Sequence, residues 1–404
     1  MGDIIKSPAV CVLVPIYNAD RYLTQCLDSL IHQTMPDMEI LCLDDGSTDN
    51  SASIISDFAR RDPRIRTFSH ENHGYGWTVN KGIDEARGDF IGIVESDDWV
   101  EPTMFDNLYR AARTTDADMA KCNFYLEWTS SPKRRELFRY FSTDDNGRVI
   151  CPREDAKGAV FRKKPTVWSA IYRTSFLMEN GIRFLETPGA CFQDTSFSFK
   201  ALWCAKKVVC CTTPYVHYRQ DNGASSINAT DKEYCVCDEY EEIERFLGEF
   251  PDSGPFAARV LAPMIYDTFM WNYERLDPSL KQPFLEVASA WFRRLLDEDR
   301  VDWTGFTQDK RTNFRVIAYA PTAYSEWKHS TAQRPTRMTL VATMKKWMRS
   351  VMPPSRTRFN SKMRALTRQV EALQITVDEL VRQNNVLLAR SEGESLGPGR
   401  TDGK

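Results

Sequence analysis

The chain has 404 residues, 42% of them hydrophobic and 27% charged, with 53 Lys plus Arg against 56 Asp plus Glu. At one domain per ~150 residues this predicts two or three structural units, and so average a composition excludes wholesale disorder and collagen-like or mucin-like chains. Its longest apolar runs, such as residues 9–15, fall far short of the ~20 residues that span a bilayer, and the stretch bearing Asp3 and Lys6 reads as lacking a signal-peptide core.

Ala9 to Val14 is an unbroken apolar run of strand length stopped by Pro15, the pattern of a strand buried on both faces. Leu23, Cys26, Leu27, Leu30 and Ile31 then recur at helical spacing. Glu39 to Leu43 predicts a second strand running into Asp44-Asp45-Gly46-Ser47, after which Thr48 or Asp49 can cap a helix through Ile54, Ile55, Phe58 and Ala59. A third strand is expected over 64–69, a third helix over 77–87, and a fourth strand over 90–94 running into Glu95-Ser96-Asp97-Asp98-Trp99. Alternation at this spacing implies an α/β fold with right-handed crossovers and a largely parallel sheet, whose ligand sits outside the carboxyl ends of the strands. Tyr17-Asn18, Asp44-Asp45, Glu71-Asn72 and the Glu95–Asp98 cluster occupy those ends. Adjacent carboxylates there repel unless a cation compensates them. Oxygen ligands suit Mg²⁺ or Mn²⁺, which completes its shell with water and phosphate oxygens, so a nucleoside diphosphate is the natural partner. An acidic turn with Asp98 capping a helix is the alternative.

The eleven cysteines include no CxxC with a matching second pair and read as small buried hydrophobes in a reducing compartment.

Val14-Pro15-Ile16-Tyr17-Asn18, Leu43 to Asp49, Asn80-Lys81-Gly82 and Ser96-Asp97-Asp98-Trp99 resemble, in order and spacing, the family 2 glycosyltransferases with a GT-A fold. A second stretch also resembles that domain: Trp168 to Arg173, Phe192-Gln193-Asp194 to Phe197, and Pro214 to Arg219. The resemblance implies a GT-A domain over residues 8–228. It implies a nucleotide-sugar donor, Pro15 and Tyr17 lining the base pocket, Asp45 accepting a uracil N3–H, and Asn72 and Arg219 nearby. Asp97 is then expected on the ribose and metal side, and Asp98 on the divalent ion. Asp194 matches the general base of an inverting displacement, although the residues alone favour a helix cap there. His217 is a candidate to complete a metal shell, the alternative being a half-buried strand histidine. Arg219 with Ser225 and Ser226 either holds the diphosphate or belongs to a plain surface loop. Three positions depart from the family pattern: Glu95 stands for an Asp, Gln193 for a Glu, and Val79 for an Arg, leaving diphosphate neutralisation to the metal and another cation such as Arg219. Gln193 is expected to leave the Asp194 pKa less raised than a glutamate would. Trp128, Trp168 and Trp203 could stack on a sugar acceptor, with core packing the default for each. The glycines of Asn72-His73-Gly74-Tyr75-Gly76 permit close backbone approach to a nucleotide, the alternative being an ordinary strand-to-helix turn.

Residues 229–332 predict a helical subdomain without chemistry of its own. Between Gln333 and Arg368 there are ten Lys or Arg and no Asp or Glu, with Leu340, Met344, Trp347, Met348 and Val351 interleaved. An amphipathic segment over 333–357 suits an anionic membrane surface, the alternative being a linker packed on the acidic domain. The segment lacks any nucleic-acid reading module, so no nucleic-acid partner is expected. Val370 and Val377 at a, Leu373 and Leu380 at d, and Asn384 at a further a position predict a parallel dimeric coiled coil over 358–390. A polar tail follows over 391–404.

The expected protein is thus a cytoplasmic, membrane-peripheral enzyme assembling a cell-surface glycan or lipid-linked precursor. Its alternative is a catalytically inactive scaffold dimerising through the coil. Deletion of residues 338–352 is expected to shift the protein from vesicle-bound to free in sedimentation with anionic liposomes. Unchanged sedimentation would refute membrane contact by this segment.

Overall fold

A computed structural model describes residues 7–223 and 232–329. The expected basic segment, coiled coil and tail, and Ser225 and Ser226, lie outside the described residues. The chain divides into two compact units, one through Ile265 and one from Tyr266, so the division falls within a helix.

The first unit alternates as the apolar pattern requires. It runs β1 (Val10–Ile16), α1 (Asp20–Ile31), β2 (Met38–Asp44), α2 (Ser51–Arg61), β3 (Ile65–Ser69), α3 (Tyr75–Glu85) and β4 (Phe90–Ile93). Then follow β5 (Trp99–Val100), α4 (Met104–Thr115), β6 (Met119–Trp128), β7 (Arg134–Phe138), β8 (Val149–Ile150), β9 (Ala170–Arg173), α5 (Thr174–Glu179), α6 (Asp194–Cys204), β10 (Val208–Arg219) and α7 (Cys235–Leu247). The sheet order is β3-β2-β1-β4-β9-β6-β10-β5, with β7 on β6 and β8 on β10. Strands β3, β2, β1 and β4 pair in parallel, whereas β9 is antiparallel to both β4 and β6.

All seven residues of β1 and of β2 are buried, because both strands are interior to the sheet and carry helices on their faces. Helix α1 turns Leu23, Cys26, Leu27 and Leu30 inward, one apolar stripe at helical period. Strand β1 passes through Pro15 to Ile16, which pairs with Asp44, so the missing N–H ends no strand here. Neither Thr48 nor Asp49 is the residue that precedes α2; Asn50 is, without a side-chain cap. Asp49 acts from outside the helix, its Oδ1 accepting from the Ser51 N–H at 2.9 Å and its Oδ2 from the Asp20 N–H at 3.0 Å. One carboxylate thereby satisfies orphan donors at the start of two helices.

Register decides what meets at the sheet's carboxyl edge. Ile16 lies beside Asp44 and Leu13 beside Ile93, so Tyr17, Asp45 and the chain after β4 emerge together. Antiparallel pairing of β10 with β5 sets His217 against Trp99 and brings the last residues of β10 to Asp98.

Two glycines let the loop before α3 lie directly on the segment 184–191 that precedes α6. Gly74 has φ +91°, and a Cβ there would sit 2.8 Å from the Gly189 nitrogen; a Cβ on Gly76 would overlap the Leu185 carbonyl. The Tyr75 N–H donates to the Gly189 carbonyl at 3.0 Å across the same contact. Close backbone approach was expected toward a nucleotide; the structure shows it between two loops of the chain.

The helices α8 (Gly254–Arg275), α9 (Pro278–Asp297), α10 (Gln308–Tyr319) and α11 (Pro321–His329) complete the described chain. Asp277 caps α9, accepting from the Ser279 N–H at 2.9 Å ahead of Pro278 at the first helical position. The core of the second unit is aromatic, with Phe292 and Phe314 stacked at 4.2 Å between centroids and Phe269 and Phe284 beside them. No described helix is long and apolar enough to cross a membrane.

Gly76→Ala is expected to force Leu185 and its segment outward. Stability should fall by about 1–3 kcal/mol, and turnover should fall with it because residue 194 is carried on that segment. Chemical denaturation and steady-state kinetics on the same preparation check both.

Candidate active site

Chain geometry gathers four carboxylates at the carboxyl edge of the sheet. Glu95, Asp97 and Asp98 follow β4, and Asp194 opens α6. Burial raises the Asp98 pKa well above the usual carboxylate range, with Asp97 adding repulsion and the Arg219 N–H opposing it. Glu95 is pushed up to about 8 by desolvation, against the hydrogen bond that it accepts from the Tyr75 hydroxyl at 2.8 Å. Asp194 is raised to about 6, again chiefly by desolvation, with Lys164, helix N–H groups and Lys121 lowering it. Glu95 and Asp194 feel each other's charge, which places the expected base in the cleft of the acidic cluster.

Asp98 is almost wholly buried. Its Oδ1 accepts from the Arg219 N–H at 2.8 Å, while its Oδ2 has no hydrogen-bond partner among the described residues. A buried, unsatisfied carboxylate oxygen costs ~1–3 kcal/mol or more and is the donor a hard cation seeks. Asp97 accepts from the Asn222 Nδ2 at 2.8 Å. Among the described residues no three His, Cys, Asp or Glu side chains form a ready cage for a metal. The residues therefore fit a divalent ion held by Asp98, with Asp97 beside it, whose remaining ligands are water and phosphate oxygens, as Mg²⁺ prefers.

The other expected site residues divide. Tyr17 is 53% exposed at the end of β1, so its ring is open to stacking, whereas Pro15 is buried within β1. Asp45 is buried and organises the loop before α3. Its Oδ1 accepts from the His73 N–H at 2.7 Å and its Oδ2 from the Gly74 N–H at 3.0 Å, while Asn72 Nδ2 donates to the Asp45 carbonyl at 3.0 Å. Arg219 is 5% exposed. Its guanidinium donates to the Asp97 carbonyl, Thr129 Oγ1 and Gln25 Oε1, and lies over the Tyr22 and Trp99 rings. It braces the Asp97–Asp98 turn, with its guanidinium engaged within the protein.

His217 is corrected most clearly. Its Nδ1 pairs with Glu127 Oε1 at 2.8 Å and its Nε2 with Glu101 Oε1 at 2.9 Å, the ring stacking on Trp99 at 4.9 Å. With both nitrogens engaged by carboxylates, it has no lone pair directed at a metal in the cleft. Of the tryptophans, Trp168 and Trp203 are core, and Trp128 lies under Arg134.

Asp194 is held by a dedicated scaffold. Gln193 is buried, its Oε1 accepting from the Cys191 N–H and its Nε2 donating to Thr187 Oγ1 at 2.8 Å and to the Gly189 carbonyl at 3.2 Å. A neutral amide can both donate and accept, which a glutamate cannot, so Gln193 orders the loop; desolvation is the chief cause of the raised Asp194 pKa. Phe192 adopts φ +63°, a left-handed conformation that costs a bulky side chain energy and recurs at functional sites. From α7, Glu239 Oε2 accepts the Ser196 N–H at 2.9 Å, and Glu242 takes the buried Lys200 ammonium at 2.8 Å. Cys191 and Cys235, expected to be reduced, are joined in a disulfide with Cα atoms 5.7 Å apart, a pairing that a separation of 44 residues conceals.

Sequence reasoning missed the cations of this cleft. Lys121 is buried and donates to the Thr166 carbonyl at 2.6 Å, Thr166 Oγ1 at 2.8 Å and Ser169 Oγ at 2.9 Å. Lys164 follows Arg162-Lys163, a run that reads as an ordinary solvated loop.

The Glycosyl transferase family 2 model matches residues 11–205. Glycosyltransferase GlyG of Streptococcus pneumoniae is 32% identical over 226 residues, which cover 54% of this chain and 73% of GlyG. The Bacillus subtilis protein EpsH is 35% identical over 218 residues, covering 53% of this chain and 62% of EpsH, so the chain spans less than two thirds of that relative. Among solved structures, Staphylococcus aureus TarS residues 1–349 superimposes with a TM-score of 0.60 at 17% identity, covering 76% of this chain and 86% of that TarS fragment. The mixed sheet of mostly parallel strands in the GT-A arrangement, together with these matches, defines the class as a glycosyltransferase. The chain belongs to glycosyltransferase family 2.

Asp194→Asn is expected to abolish transfer by ~10²–10⁴-fold while raising the melting temperature near pH 7.5. The sign follows from the raised pKa. Between its unfolded value and about 6 the folded state retains the proton, and above that it holds a desolvated carboxylate that Asn removes. Thermal melts at pH 5 and pH 7.5 should show the gain shrinking toward acid pH.

Proposed function

We propose that this enzyme transfers a sugar with inversion from a UDP-sugar to an acceptor hydroxyl of a cell-surface glycan or lipid-linked precursor, using Mn²⁺ or Mg²⁺. The observation that carries the metal-dependent donor site is Asp98, whose buried Oδ2 lacks a partner among the described residues at the edge where Tyr17 presents an open ring. The UDP-GlcNAc complex of S. aureus TarS supports a uridine nucleotide as donor.

Asp98, with Asp97 beside it, would hold the ion. When bound, the ion supplies Lewis-acid stabilisation to the departing diphosphate. Tyr17 would stack on the base, and Asp45, by ordering the 72–74 turn, keeps the base end of the pocket in shape. Asp194 takes the proton of the attacking hydroxyl. Its pKa of about 6 leaves it mostly ionised at neutral pH while still basic enough to accept a proton. One base and one displacement yield inversion. The rate should rise with pH through an acid limb near 6. The basic segment and the heptads beyond residue 332 would add peripheral membrane contact and dimerisation.

Purified protein incubated with Mn²⁺ and a panel of UDP-sugars is expected to transfer to an acceptor or hydrolyse one donor slowly. Asp98→Ala should abolish this and weaken UDP binding in Mn²⁺. No turnover with any donor, together with UDP binding indifferent to Asp98→Ala, would overturn the assignment.

A further inference from the structure

The family's usual arginine before Asn80 is Val79 here, and Val79 is wholly buried. Arg219, the expected substitute, is committed beneath the Asp97–Asp98 turn. Lys121 is committed to Thr166 and Ser169. A diphosphate leaving from this cleft still needs a cation besides the metal.

Lys164 remains. Its ammonium lies 4.5 Å from the centre of the Tyr218 ring, which packs at 4.8 Å on Trp168. Tyr218 precedes Arg219, whose N–H binds Asp98 at 2.8 Å, and it feels the charges of Asp98, Asp194, Asp97 and Glu95. Lys164 feels the charges of Asp194 and Asp98 in turn. No hydrogen bond or ion pair engages its ammonium among the described residues, and the side chain is exposed, so its three donors are open to a ligand. The turn that presents it is fixed on both sides: Lys163 Nζ donates to the Tyr140 carbonyl, and Lys121 clasps Thr166.

We propose that Lys164 is the cation that receives the donor's leaving diphosphate, its ammonium hydrogen-bonding the phosphate attached to the sugar. This rests on the nucleotide-sugar reading above. In the transfer, the bond between the anomeric carbon and the phosphate oxygen breaks with its electron pair going to that oxygen. The acceptor oxygen forms the new bond, and its proton goes to Asp194. Lys164 keeps its proton throughout and stabilises charge that grows on the phosphate, as a preorganised donor does. The charge of the same ammonium also keeps the Asp194 pKa from rising further.

The test is calorimetry in Mn²⁺ with UDP and with UMP, on wild type, Lys164→Met and Lys164→Arg, each checked for an unchanged thermal melt. Lys164→Met should weaken UDP about tenfold or more and leave UMP, which lacks the second phosphate, unchanged. Lys164→Arg should restore most UDP affinity. Equal UDP affinity in wild type and Lys164→Met overturns the inference and leaves the donor reading standing, as does an equal loss for UMP. A shift confined to the acid limb of the pH–rate profile, with UDP affinity intact, also overturns it and makes Lys164 a positioning residue for Asp194. If the wild type binds no UDP, the UDP-donor reading fails and this inference fails with it.

Discussion

Carboxylates that share a water-poor cleft repel one another, and the surrounding structure is organised around holding them there. Glu95, Asp97 and Asp98 have little freedom to separate, because β4 is interior to the sheet and β10 closes over the turn from the other side. Asp194 arrives from a distant part of the chain at the start of α6. Desolvation is the leading cause of the raised pKa at Glu95, Asp98 and Asp194 alike. Such a cleft is unfavourable in isolation, and a cation entering it would relieve that cost.

The remaining architecture opposes that repulsion. Beneath the metal-side turn, Arg219 supplies a backbone N–H to Asp98 and a guanidinium to the Asp97 carbonyl. On the base side, α7 holds the beginning of α6 through Glu239, the Lys200–Glu242 pair and the Cys191–Cys235 link. Gln193 orders the loop from within. Helix α7 therefore fixes where Asp194 stands.

The alternating strands and helices were legible because each carries an unambiguous period. The run from Val10 to Ile16 is apolar throughout, and α1 has its apolar residues on one stripe. Asp194 and the Glu95–Asp98 cluster were also legible, since their neighbours carry the family resemblance. What the sequence concealed is orientation. Nothing in Pro214 to Arg219 says that the arginine points back under the sheet edge, or that both His217 nitrogens meet glutamates from β6 and from the turn after β5. Those outcomes depend on the pairing of β10 with β6 and β5, a long-range fact. The lysines were concealed for a related reason. Lys121 sits within a strand pattern and Lys164 within a basic loop, and only tertiary packing brings either near Asp194.

The contact between the loop before α3 and the segment before α6 runs through backbone atoms, with the Tyr75 N–H on the Gly189 carbonyl and no side chain interposed at Gly74 or Gly76. The same segment is also held by side chains, Phe184 stacking on Phe197, Glu186 meeting Asn80 and Thr187 meeting Gln193. For anyone recombining the two halves of this domain from different enzymes, a crossover placed between residues 76 and 185 is therefore sensitive to loop length as well as to similarity. One inserted residue there would shift where α6 begins, and Asp194 with it.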